Sequence, residues 1–229
     1  ERTTENQRIG GLAAEVMGGC VVSVDACTLS GSITSNSDSN AKVGGLIAVS
    51  RGETQKGNIN SYTSADTTIK ISNLQVKKEN INTNGANNTS GGLLGYQWKN
   101  TNVVFAASAD NTASESGVTI SEAKLNANAQ FGGLVYQATG YWNATAANSI
   151  IFEKKESTTT FTGKSTQDTP SGLLVGTGLL KVTQSGKEVV ESALYLEAGT
   201  WGNVSDAAYK IGSGAVTIEI NSDYFDELV

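Results

Sequence analysis

Three tryptophans, each beside an asparagine, are the residues of this chain best suited to recognition chemistry. Trp98 precedes Lys99 and Asn100, Trp142 precedes Asn143, and Trp201 precedes Gly202 and Asn203. Tyr96, Tyr136, Tyr141 and Tyr195 lie close by in sequence. An aromatic face stacks on a sugar ring while a neighbouring amide hydrogen-bonds its hydroxyls, so such sets suit a glycan. The expected ligand-binding residues are therefore Trp98, Asn100, Trp142, Asn143 and Trp201. The same rings also suit a structural task, covering a sheet corner and anchoring long loops through the apolar area each one buries.

Catalytic chemistry has less to work with. The chain has no histidine, which removes Ser-His-Asp and Cys-His catalysis, imidazole zinc ligation and the commonest general base. Glycoside hydrolysis needs only two carboxyl groups about 5 to 10 Å apart. Glu122 with Glu153, or Glu197 with Glu219, are the pairs that strand stacking could bring together. A lyase would want clustered acids beside a basic residue, but no acidic cluster surrounds Arg51 in sequence. The expectation is scattered, solvated carboxylates with no catalytic residue, no metal and no cofactor. Lys77-Lys78-Glu79 and Lys154-Lys155-Glu156 read as solvated turns at strand ends, whose charges discourage edge pairing. Cys20 and Cys27 stand seven residues apart, so pairing them requires a turn between them. Two buried thiols acting as small hydrophobes is the preferred reading, and a disulfide within one turn of a repeat is the other.

The elements that must position these residues are strands. With 26 glycines, one proline, few aromatics and short runs of Val, Ile and Thr, the composition is that of strands and turns. A formal charge of −6 with only three arginines gives no basic stripe for phosphates, so nucleic acid is not an expected partner. No run approaches the roughly 18 apolar residues of a membrane helix, so no membrane insertion is expected within this segment.

A short signature recurs. Gly10-Gly11-Leu12, Gly44-Gly45-Leu46-Ile47, Gly91-Gly92-Leu93-Leu94, Gly132-Gly133-Leu134-Val135 and Ser171-Gly172-Leu173-Leu174 lie 34 to 47 residues apart. Self-similarity at such a period marks a repeat architecture. Two further strand-like runs stand between successive signatures, as in Cys20–Val24 and Thr28–Thr34 of the first repeat. Three short strands per repeat, with no amphipathic segment long enough for a helical crossover, predict an all-β, right-handed parallel β-helix. Residues 1–229 would form one solenoid domain of about six coils, some 29 Å long at about 4.8 Å per coil. Leu173 to Leu194 would be a fifth, minimal coil, with Leu194 taking the next signature position without its glycines, and a sixth would run through Ala208–Ile211 and Ala215–Ile220. The glycines are expected where a corner demands φ > 0 or where a Cβ would strike the next coil. The leucines would form one inward column, with Thr, Ser and Asn ladders outside.

The run from Gly10 to Ala48 resembles the GLUG-type repeats of bacterial surface proteins. It carries Gly-Gly-Leu, Cys20-Val21-Val22, Ser30-Gly31-Ser32-Ile33 and then Val43-Gly44-Gly45-Leu46-Ile47. Later repeats keep the signature, as in Leu93-Leu94-Gly95-Tyr96, and lose the cysteine strand and the Ser-Gly-Ser turn. The resemblance implies a non-enzymatic stalk or adhesive display module, a fragment of a large extracellular protein attached to a bacterial surface or secreted. Its implied partner is a glycan or host-surface ligand. The alternative, from a different class, is a β-helical polysaccharide lyase or glycosidase, or a phage-tail depolymerase.

Overall fold

The structure is a computed structural model that describes residues 7–36, 40–55, 62–105, 117–138, 141–144, 150–152, 159–165, 175–178, 181–184, 187–190, 193–196, 201–203 and 214–220. Every regular element among them is a β-strand. The fold is all-β, dominated by parallel pairing between strands of successive sequence repeats.

Four sheets carry it. The first joins Arg8–Gly10, Lys42–Gly44, Thr89–Gly91 and Phe131–Gly132. The second joins Ala13–Val16, Ile47–Ser50, Leu94–Gln97, Val135–Ala138 and Val175–Gly178. The third joins Val21–Asp25, Thr67–Ser72, Thr101–Phe105, Tyr141–Ala144 and Lys181–Gln184. In the fourth, Thr28–Ser35 pairs with the long strand Leu74–Thr83, which pairs in turn with Val118–Ile120 and Ala123–Ala127. Each repeat thus places four strand positions, not three. The signature is the reason: the bend at its second glycine and leucine separates a strand of the first sheet from one of the second.

Two close approaches explain the glycine pair. A Cβ on Gly44 or Gly91 would land on the carbonyl oxygen three residues ahead, Ile47 or Leu94. A Cβ on Gly45 or Gly92 would land on the carbonyl oxygen of Gly92 or Gly133 in the next repeat. None of these glycines has positive φ; among the described residues the φ > 0 glycines are Gly19, Gly31 and Gly117. The corner therefore selects glycine for its missing side chain, and the expected φ > 0 is corrected.

The leucines after the glycines lie in register. The amide of Leu12 donates to the Leu46 carbonyl at 2.8 Å, Leu46 to Leu93 at 2.9 Å and Leu93 to Leu134 at 2.8 Å. Leu46, Leu93 and Leu134 are buried, and Leu12, in the first repeat, is 56% exposed; Leu173 lies outside the described residues. Equivalent apolar residues align in the other sheets too. Val22, Ile69, Val103 and Trp142 hold one register position, and Ile33, Ile81, Leu125 and Phe161 hold another. Leu134 is fully buried among such neighbours. Leu134→Ala should lower unfolding free energy in denaturant titrations by about 2–5 kcal/mol, and a loss under about 1 kcal/mol would contradict the packing.

After the fourth repeat the pattern changes. Lys187–Val190 pairs antiparallel with Lys181–Gln184, and Trp201–Asn203 with Ala193–Leu196. Gly214–Ile220 pairs antiparallel with Thr159–Ser165, where a sixth parallel coil was expected. Leu194 lies in a strand of the fourth sheet, beside Ile150–Phe152, and not at a signature corner. Without a glycine pair before it, the chain cannot make the close arch described above.

Candidate functional site

The outer side of the second sheet gathers ionic and aromatic groups from three repeats. Main-chain bonds set their register: the Arg51 amide donates to the Val16 carbonyl at 2.8 Å and the Trp98 amide to the Ser50 carbonyl at 3.0 Å. Arg51 and Trp98 therefore occupy equivalent positions, and the guanidinium carbon stands over the indole, 4.7 Å from its centroid. Tyr96 flanks Trp98 with ring centroids 5.3 Å apart and planes tilted by 39°. Lys42 Nζ lies 5.7 Å from the Tyr96 ring centroid. Glu15 accepts from both Arg8 and Arg51, so one carboxylate ties the first repeat to the second. Charge-assisted bonds and cation–π contacts of this kind orient the groups that make them.

Burial tunes the ionisable members. It holds the Lys42 ammonium below its usual range. It raises the Tyr96 phenol against the opposing pull of Arg51. Tyr136 is raised by burial first and by Tyr96 second.

The five expected ligand residues do not share one backbone position. Trp98 is half-buried with one face under Arg51. Trp142 belongs to the third sheet, where Val103 and Val182 hold its register position. Asn143 stands opposite Val104 and Thr183. Trp201 lies on an antiparallel strand opposite Tyr195. The side chains of Trp142, Asn143 and Trp201 lie outside the described residues. Asn100 takes φ 58° and donates its amide to Ser64 Oγ at 2.6 Å, fastening the turn to the hairpin Glu53–Gln55/Tyr62–Ser64. Of the five expected ligand residues, the structure joins Trp98 to Tyr96 and Arg51 and spends Asn100 on the loop. The neighbouring asparagine suggested the set, and that adjacency does not mark sheet boundaries.

Arg51, weighed as a lyase base, is held by Glu15. Glu153, Glu197 and residues 154–156 lie outside the described residues, so neither carboxylate pair is placed. Cys20 and Cys27 are free thiols, and both are exposed. Buried thiols were expected; among the described residues the first repeat pairs on one side, and its turns keep solvent contact.

Glu79, expected in a solvated turn, is instead 4% exposed. Lys78 adopts φ 56° and the register slips between Val76 and Glu79, so Lys77 and Lys78 both face solvent and Glu79 turns inward. Its register partners are Gly31 and Ala123, residues small enough to leave room. The carboxyl reaches Gly45, and its Oε1 has no hydrogen-bond partner. Desolvation pushes its pKa up to about 8. A signal was present in the sequence: apolar residues sit at even positions in Leu74 and Val76 and at an odd one in Ile81, a parity switch that requires a bulge.

The class these features define is an all-β repeat protein with parallel sheets, bearing an ionic and aromatic cluster on one flank. No protein family model, curated protein or solved structure matches the chain.

Proposed function

We propose that this chain is a non-enzymatic stalk or adhesive display module of a large bacterial surface or secreted protein, built as a right-handed parallel β-helix like GLUG-type repeats. The observation that carries the reading is the parallel, in-register pairing of each repeat with the next through all four sheets. Such an array extends by adding repeats, each contacting only its neighbours, which is what a spacer requires. Polar ladders on the surface support it. Asn84 donates to Asn36 Oδ1 at 2.7 Å, Asn128 to the Asn84 carbonyl at 2.8 Å, and Lys164 to Asn128 Oδ1 at 2.9 Å.

Inserting three tandem copies of residues 89–129 should lengthen the particle in small-angle scattering by about 14 Å, at about 4.8 Å per added repeat. A compact or unfolded insertion would defeat the proposal. The glycan-binding part of this display surface is Trp98 with Tyr96. Trp98→Ala should abolish retention on a matching glycan array while circular dichroism shows the strand signal of the wild type. Turnover of a polysaccharide by the purified chain would favour the lyase or glycosidase alternative instead.

A further inference from the structure

All four sheets end on the same repeat. Arg8–Gly10, Ala13–Val16, Val21–Asp25 and Thr28–Ser35 each pair with one described strand, from the second repeat, leaving the other edge without a described partner. The core opens there into a cavity of about 250 Å³ between Leu12, Val24, Leu29, Leu46 and Leu74. Among the described residues, the exposed large apolar side chains are Leu12 and Val21, at 56% and 64%, and both belong to this end.

The longest of these edges is self-complementary. Thr28-Leu29-Ser30-Gly31-Ser32-Ile33-Thr34 reads as the same pattern in either direction about Gly31. Set antiparallel against a second copy with Gly31 on the two-fold axis, Thr28 faces Thr34, Leu29 faces Ile33 and Ser30 faces Ser32. The alternation agrees: Leu29 and Ile33 pack inward against the core, while Thr28, Ser30, Ser32 and Thr34 are exposed. Each apolar residue would therefore meet an apolar one on the core side of the sheet, and each hydroxyl another outside. The edge also lacks the usual guards. Thr28–Ser35 carries no charge and no proline, whereas the internal strand beside it carries Lys77 and Lys78.

We propose that this end docks a second copy of the chain, head to head, through antiparallel pairing of Thr28–Ser35 about Gly31. The occupant follows from continuity with the established sheet: the paired edge of Thr28–Ser35 already bonds Leu74–Thr83 across seven register positions, and a second copy extends that sheet in its own plane. A two-fold axis normal to the sheet turns the two open cores toward one another, bringing Leu12 and its cavity under cover. The contact is isologous, so it closes as a dimer and does not propagate into a fibre.

Sedimentation equilibrium of the chain at tens of micromolar should give a dimer. The double variant S30K/S32K sets lysine against lysine at both Ser30–Ser32 crossings and should raise the dissociation constant at least about tenfold. S30K/S32E sets lysine against glutamate at the same crossings and should keep the dimer. Both sites are exposed, and circular dichroism will confirm that both variants fold. Added lysines reduce the long-range repulsion of a −6 chain, so weakening by S30K/S32K can only come from local register. A monomeric wild-type chain, or equal dissociation constants for the two variants, would overturn the proposal.

Discussion

The stability of this protein should fall as pH rises from about 4.5 to about 8, and Glu79→Gln should remove that slope. Glu79 is buried without a partner for Oε1, and desolvation lifts its pKa from 4.5 to about 8. Below about 4.5 the carboxyl is protonated in both the folded and unfolded chains and costs nothing extra. Between the two values the unfolded chain gives up the proton and the folded chain keeps it, so unfolding releases a proton and becomes easier with each pH unit. Above about 8 both forms are ionised and the full penalty is present, on the order of 5 kcal/mol at about 1.4 kcal/mol per pH unit. Denaturant midpoints at pH 5, 7 and 9 for wild type and Glu79→Gln give the difference directly. Parallel pH profiles for the two proteins would place the carboxyl in solvent and refute its burial.

Gly92→Ala should be strongly destabilising, as at the other corner glycines of the described repeats. The added Cβ would land on the carbonyl oxygen of Gly133, with the carbon of that carbonyl at 3.2 Å. Neither atom can step aside, because the corner is pinned between neighbouring repeats. The Gly92 amide donates to the Gly132 carbonyl at 3.2 Å and that of Leu93 to Leu134 at 2.8 Å. Separating them breaks a register that continues through four sheets, so the loss should exceed about 3 kcal/mol, the upper end of ordinary overpacking. Gly31 is a useful contrast, since a Cβ there meets nothing within 4 Å and only its φ of 113° resists substitution. Gly31→Ala should cost about 1–3 kcal/mol through backbone strain alone. Equal losses for the two variants in urea unfolding would show that the corner is looser than its geometry requires.

Local sequence was most informative where a residue type answers to one constraint. A glycine pair followed by leucine recurs because a close arch admits no side chain and the next residue must fill the core. The repeated signature therefore disclosed the parallel register between repeats, and Leu46, Leu93 and Leu134 fell into one bonded column. The tryptophans carried no such constraint. Trp98 and Trp142 follow a signature leucine by five and eight residues, yet they occupy the flank beside the second sheet and the third sheet, and Trp201 lies on an antiparallel strand. Loop length decides which sheet a residue enters, and loops here vary from one repeat to the next.

The sequence by itself determined the class of secondary structure, the repeat period and the identity of the corner residues. Each follows from composition or from a steric rule that acts over a few residues. Only the tertiary structure decided which groups meet across repeats. Arg51 lies over Trp98 because residues 47 positions apart share a register. Glu79 is buried because one bulge at Lys78 reverses the face of everything after it. Its cost depends on the small neighbours Gly31 and Ala123 that leave the carboxyl room but no hydrogen-bond partner for Oε1. Strand side chains alternate with a period of two, so one inserted residue sets which face meets the core, and that choice is made by contacts far away in the chain.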